Sequence, residues 1–279
     1  MQTPVHAVIS KTDESFDPFD TSNNSLFVQL SETHVSWCIL DNEKNKFVVI
    51  ESFASYLQEV SENIPWIRQR FESVCLMIEN NRSTLIPAAL FDPEEKKSYI
   101  EFIHDKDDTT ETLFDRLPQL EIVNVYGISA KLLEAGLRIF PGANTFHHST
   151  ALIHSIWMNY KNRINREKAF IYVRENDFDL LIFDGKQLNY YNAFHFMIPA
   201  DLIYYVIFVM EQLNLNPEET ELVLMGNIDK DSEVYDLLYR YIRNIEFVKR
   251  NPAFKYSYVF NDIPAHHFYP LFNLRLCGL

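Results

Sequence analysis

Phe27–Asp41, FVQLSETHVSWCILD, lies without a gap over Phe170–Asp184, FIYVRENDFDLLIFD, at an offset of 143 residues. Four of the fifteen positions are identical (Phe27/Phe170, Glu32/Glu175, Ile39/Ile182, Asp41/Asp184), but the pattern carries more than the identities. In each copy a short apolar run breaks at a polar turn, SETH or RENDFD, and then resumes. Val35, Trp37 and Ile39 match Phe178, Leu180 and Ile182, and residues two apart share one side of a strand. A strand–turn–strand unit repeated half a chain apart predicts two related lobes around a cleft.

Working outward, each copy continues in the same order. The first reads as strands 26–30, 34–40 and 46–53, a helix over 56–62, a second helix from Pro65 to Phe71, and a buried strand over 74–78. The second reads as strands 169–173, 177–183 and 188–194, with Asp184-Gly185 marking a tight hairpin. Pro199 then opens a helix over 200–213 that is apolar almost all round and so is expected to be buried. Strand 221–225, a helix over 232–243 and strand 246–249 close the unit, with Leu224-Met225 echoing Leu76-Met77. Between the copies, strands at 84–86 and 122–126 and helices at 93–102, 129–140 and from Ser149 to about Tyr160 complete the first lobe. DKDDTTE reads as an acidic turn. Three meandering strands followed by alternating helices and strands describe a mixed α/β sheet. The expected domains are a lead-in segment or edge element over 1–24, a first lobe over 25–165 and a second over 166–279.

Composition narrows the function classes. The chain has 279 residues, 47% of them hydrophobic, which is enough for two ordinary cores. A net charge of -14 repels nucleic-acid backbones and anionic membranes, and Arg163, Arg166 and Lys168 are the nearest approach to a basic patch. Only six glycines argue against glycine-rich phosphate loops. Cys38, Cys75 and Cys277 show no CxxC spacing, and the first two sit in apolar runs where reduced thiols are ordinary. The N-terminal stretch lacks a signal-peptide pattern, and the apolar run from Leu202 to Met210 is too short to span a bilayer. The expectation is a soluble cytoplasmic protein without membrane insertion.

TLIPAALFD (84–92), NVYGI (124–128), FPGANTFHHS (140–149) and LVLMGNI (222–228) resemble an uncharacterised Bacteroidetes protein family with the actin-like ATPase fold. The duplicated β-β-β-α-β-α unit is similar to that superfamily as a whole. The resemblance covers the chain from about residue 24 and implies two RNase H-like lobes, each with a mixed five-stranded sheet. It assigns no activity.

The superfamily's phosphate loops place an Asp at the end of the first strand, to order a metal and its waters, followed by glycines that let backbone N–H groups reach phosphate. The first loop falls on Gln29-Leu30-Ser31-Glu32-Thr33 and the second on Tyr172-Val173-Arg174-Glu175-Asn176. Neither retains the Asp or the glycines. The adenosine-side motif survives in part as Met225-Gly226-Asn227. Magnesium-ATP hydrolysis is therefore not expected, nor is a cofactor, although ATP binding stays open. The degenerate-cleft candidates are Ser31, Arg174 and Gly226, with Arg174 either holding an anion or standing as a surface or ion-pair residue.

Other constellations are weaker. His147-His148 precede a helix start and His266-His267 lie among aromatics. Adjacent histidines diverge on regular elements, and no Cys or carboxylate follows at ligand spacing, so packing is favoured and no metal is expected. No GxSxG, P-loop or HExxH occurs. The expected function is a catalytically degenerate actin-like scaffold or interaction module with a protein partner. The alternative is a nucleotide- or small-anion-binding protein using the interlobe cleft.

Overall fold

The two aligned stretches fold as antiparallel strand pairs in one shared register. The chain's structure, a computed structural model, describes residues 6–278. Its strands begin with β1 (Ala7–Thr12), β2 (Asn24–Leu30), β3 (Val35–Asp41), β4 (Lys46–Phe53), β5 (Ser73–Ile78), β6 (Ser83–Pro87), β7 (Thr110–Leu117), β8 (Ile122–Ser129) and β9 (Asn144–His147). Helices α1 (Leu57–Asn63), α2 (Lys96–Ile103), α3 (Ala130–Ile139) and α4 (His148–Tyr160) lie among and after them. The second copy supplies β10 (Glu167–Val173), β11 (Asp177–Asp184), β12 (Gln187–His195), α5 (Pro199–Gln212), β13 (Glu221–Gly226), α6 (Glu233–Tyr241) and β14 (Asn244–Phe247). The chain ends with β15 (Lys255–Tyr256) and α7 (Tyr269–Asn273).

Phe27 pairs with Cys38 and Val28 with Trp37; at the same offset Phe170 pairs with Leu181 and Ile171 with Leu180. β5 and β13 then add in parallel, Leu76 beside Val28 and Leu224 beside Ile171. The strand orders match: β4-β3-β2-β5-β9 in one sheet and β12-β11-β10-β13-β14 in the other. Val35, Trp37 and Ile39 enter the core of the first sheet with Leu26, Val28 and Leu76, while Phe178, Leu180 and Ile182 enter that of the second with Ile171 and Leu224. Each such side chain contributes about 1.5–3 kcal/mol when fully buried. The period-two pattern thus sets which face of each strand is sequestered.

The compact units do not follow the expected boundary. One runs through His154 and regains Pro252–Asp262 and the chain from Pro270; the other is Ser155–Asn251 with Ile263–Tyr269. The reason is a second apolar face on the first sheet. Phe272 meets the Phe47 ring at 4.9 Å, Tyr256 stacks on it at 5.5 Å, and Cys38 Sγ lies 3.8 Å from the Leu271 carbonyl. β15 pairs with β4, and Ser257 and Lys46 both donate to the buried Asp13 carboxylate. Burial opposes ionisation of Asp13, but hydrogen bonds from Lys46, Ser15 and Ser257 outweigh it and hold the carboxyl well below the usual range. The expected lead-in is an edge: β1 pairs antiparallel with β4, and its first five residues lie outside those described.

Other departures are local. The acidic stretch expected as a turn gives way at Thr110 to β7, which forms a third sheet of order β6-β8-β7 in the first unit. β9, hidden in FPGANTFHHS, was not expected. Pro65 opens only a 3-10 turn, Pro65–Arg68. β14 starts two residues earlier than expected. Helix α5 is not wholly buried: Leu202, Ile203, Val206, Val209 and Met210 face the core, whereas Tyr204 is 64% and Phe208 46% exposed. One helix laid on a sheet buries only one stripe, and α6 of the same unit lies beside the other without burying Tyr204 or Phe208. Among the described residues no helix is long and apolar enough to cross a membrane.

Candidate functional site at the paired turns

The turn between β2 and β3 holds Ser31, and the turn between β10 and β11 holds Arg174 at the equivalent position. Both are closed by the same backbone bond: Ser31 N–H donates to His34 C=O at 3.0 Å and Arg174 N–H to Asp177 C=O at 2.8 Å. The side chains then take different routes. Ser31 Oγ accepts from the N–H groups of His34 (2.9 Å) and Thr33 (3.3 Å), a local turn that leaves little capacity for a ligand. Gln29, where the superfamily has Asp, donates through Nε2 to Glu79 at 2.6 Å.

In the second turn Arg174 Nε donates to Asp179 Oδ2 at 3.0 Å, with Asp177 Oδ2 at 3.9 Å from Nη1. Arg174 is 6% exposed and Asp179 fully buried, and Tyr191 donates its hydroxyl to the other Asp179 oxygen at 2.8 Å. Of the alternatives for Arg174, an anion anchor, a surface residue or an ion-pair residue, the geometry is that of a buried ion pair. Arg174 was named from the sequence; its partner Asp179 was not.

Gly226 ends β13 beside Val173, the residue before Arg174. Its φ is +85°, and a Cβ there would lie 2.0 Å from the Val173 carbonyl oxygen and 2.9 Å from the Tyr172 ring. Its N–H is taken by the His266 carbonyl at 2.9 Å. Backbone conformation and packing are sufficient to require glycine here. The structure thus brings Arg174 and Gly226 together, and places Ser31 in the other unit.

Ser31 borders a pocket of about 630 Å³ between its turn and the starts of α1 and α3. Glu32, Glu59 and Glu62 line it against the single cation Lys131. That balance disfavours a phosphate tail, since like charges in a concave site reinforce one another.

His147-His148 belong to a buried polar cluster in the first unit. His147 Nδ1 and Ser149 Oγ are 2.7 Å apart, Asn124 Nδ2 donates to Ser149 and Thr150 at 2.8 Å each, and Thr150 donates to Asp115 Oδ2 at 2.7 Å. Ser, His and Asp are neighbours here, but Asp115 accepts from the His147 backbone N–H at 2.9 Å, and the residues are buried from any substrate. The cluster ties β7 and β8 to the start of α4. Burial pushes the Asp115 carboxyl up to about 6 against the hydrogen bonds from His147, Thr150 and Tyr126. In the second unit, His266 and His267 converge on Asp229, each Nε2 lying 3.5 Å from Asp229 Oδ1. The carboxylate comes from the loop after β13, so no linear spacing announced it.

No curated protein matches the chain. Among solved structures, a Bacteroides thetaiotaomicron protein with actin-like ATPase fold and unknown function is 24% identical, with a TM-score of 0.76 over 86% of this chain and 95% of that one. A chain of the PilM–PilN type IV pilus biogenesis complex is 13% identical, with a TM-score of 0.56 over 92% and 98%. Residues 13–245 match a family described as protein of unknown function, DUF3822. The duplicated register, the one five-strand order shared by a sheet of seven strands (β1 and β15 add to the expected five) and a sheet of five, and this match together identify the chain as a member of the DUF3822 family with the actin-like ATPase fold.

Proposed function

We propose that this protein is a non-catalytic actin-like module that works by binding a protein partner. The observation that carries the proposal is the state of the two turns. Gln29 and Tyr172 stand where the metal-ordering carboxylates would, and Ser31 and Arg174 are consumed by bonds inside their own turns. Phosphoryl transfer relies almost wholly on positioning and on charge neutralisation by metal and backbone N–H groups. Neither turn offers those groups, and the pocket beside Ser31 is rimmed with carboxylates.

The partner surface we assign is the outer face of α5 and α6. Ala200, Ile203, Tyr204, Ile207, Phe208, Leu237 and Tyr241 line a groove of about 420 Å³ there. Exposed aromatics grouped in this way are typical of interface centres. That a solved structure of this fold belongs to the PilM–PilN complex supports partner binding as a use of the frame. The net charge of -14 favours a protein over a nucleic acid.

Two measurements test the proposal. Thermal melting of tag-free protein with millimolar ATP, ADP or GTP, with and without magnesium, is expected to show no shift, because ligand binding to the native state raises stability by mass action. ATP turnover that vanishes in a Gln29→Ala variant would sink the proposal. Co-purification from source cells is expected to return a partner that Tyr204→Glu, Phe208→Glu protein loses.

A further inference from the structure

We propose that Asp229, His266 and His267 form a binding site for a divalent transition-metal ion of the zinc class. The site is independent of the partner-binding proposal. Adjacent histidines diverge on a strand or helix, yet here a tight turn overrides that rule. The His267 N–H closes on the Pro264 carbonyl at 3.1 Å, and Phe268 takes a left-handed φ of +55° immediately after. The two imidazoles end with ring centroids 4.8 Å apart and planes at 90°, both edges turned to one carboxylate.

The dimensions suit a small tetrahedral ion. Bonds of about 2.0–2.1 Å to nitrogen or oxygen put neighbouring donor atoms about 3.3 Å apart. Both Nε2 atoms lie 3.5 Å from Asp229 Oδ1, and one ring nitrogen of each histidine falls within 4.8 Å of the other and of an Asp229 oxygen. Two imidazoles and one carboxylate favour zinc and its neighbours over magnesium or calcium, which prefer oxygen.

A further observation points to a missing ligand. His267 Nε2 is shielded from solvent, and with its nearest acceptor, Asp229 Oδ1, 3.5 Å away it makes no well-formed hydrogen bond, a state a buried polar atom rarely keeps. His266 Nε2–H donates to the Ile228 carbonyl at 2.7 Å. Metal binding at that atom requires the proton to pass to Nδ1 and the bond to the Ile228 carbonyl to be given up, after which the ring binds as a neutral imidazole. The Asp229 side chain is 51% exposed, which gives the ion an entry path and leaves a fourth position for water. A bound ion would clip the loop after β13 to Ile263–Tyr269, beside the bond from Gly226 N–H to the His266 carbonyl.

Tag-free protein stripped with a chelator is to be titrated with Zn²⁺ by calorimetry, and with Co²⁺ by visible absorption. One equivalent is expected to bind, with an intense tetrahedral Co²⁺ band and slowed amide exchange at Gly226. His267→Ala and Asp229→Asn are each expected to weaken binding at least tenfold while melting like the unliganded parent, and His195→Ala, a surface His–Asp pair, is expected to leave it unchanged. Asp229→Asn keeps the carboxylate's shape, so it tests the site even if His267→Ala folds poorly. Absence of one-equivalent binding, binding unaltered in Asp229→Asn, or binding lost in His195→Ala overturns the proposal.

Discussion

The two copies agree in their strands and disagree in their turns. Leu30 and Val173 occupy the same place, and each accepts a 2.8 Å bond from the residue after the neighbouring parallel strand, Glu79 or Asn227. One residue further, Ser31 closes a light hydroxyl turn, whereas Arg174 reaches into a buried pair with Asp179. At the matched position in the third step of the repeat, the first copy has Ser36 and the second has Asp179. The strands are held by backbone pairing and by apolar faces that tolerate many residues, so they keep their register. On the non-catalytic reading proposed above, the turns answer only to local polar satisfaction, and each copy satisfies its own groups differently.

This comparison is broken most severely at the strand ends. Ile78 in the first copy corresponds to Gly226 in the second. Gly226→Ala drives a Cβ into the Val173 carbonyl, a backbone atom that is itself bonded to Asn227 N–H and has no freedom to yield. Overpacking and a left-handed φ together predict a loss of roughly 4–6 kcal/mol. Urea unfolding would measure it, and Tyr172→Ala is expected not to rescue it. A loss under 1 kcal/mol would mean that the glycine is dispensable for packing.

Next comes the buried pair. Asp179→Asn removes the carboxylate charge facing the largely buried Arg174 guanidinium, with Asp177 at 3.9 Å in partial compensation. Stranding one member of a buried pair costs about 3–5 kcal/mol. If unfolding shows a small change instead, Arg174 is free to serve a ligand, and the difference between the turns disappears.

The strands, their order and the buried alternate positions were legible because apolar periodicity is a local signal that survives divergence. Val35, Trp37, Ile39 and their counterparts were named from that pattern and are core residues. What failed was information held across the sequence. Phe260, Leu271 and Phe272 return to the first unit because the second face of its sheet needs cover, and no short window encodes that debt. β9 is four residues long, too short for a period to register. Arg174 was visible as a candidate, but its commitment depends on Asp179 lying inward, on the strand face away from Phe178. The convergence of His266 and His267 on Asp229 was not read either, because the rule for adjacent residues assumes a regular backbone, which the left-handed Phe268 interrupts.

Buried carboxylates extend the comparison to pH. Asp179 has a cation; Asp115, among the described residues, has only neutral donors. Its pKa rises from 3.8 to about 6 on folding, so the folded state holds the proton more tightly. The stabilising contribution is therefore fully present below about pH 4 and lost as pH rises through 6, a change of about 3 kcal/mol. Subtracting the stability profile of Asp115→Asn from that of the parent isolates it from opposite-signed groups such as Asp13. A flat difference between pH 4 and 7 would show that Asp115 is compensated as fully as Asp179.

The smallest effect is expected at Ser36, and it is the one that sharpens the comparison most. Ser36 and Asp179 share a place in the repeat, and both are buried with a polar partner: Ser36 Oγ donates to Ser52 Oγ at 2.8 Å. The physics differs in what each leaves behind. Ser36→Ala frees a hydroxyl on half-buried Ser52, which water can reach, so only the net value of one neutral hydrogen bond is at stake, about 1 kcal/mol. Asp179→Asn strands a charge that water cannot reach. The two substitutions, measured by urea unfolding at one pH and with unchanged m-values, should differ about fourfold in ΔΔG. Equal losses would mean that the strand position itself sets the cost, and that the turn chemistry of the second copy carries no special weight.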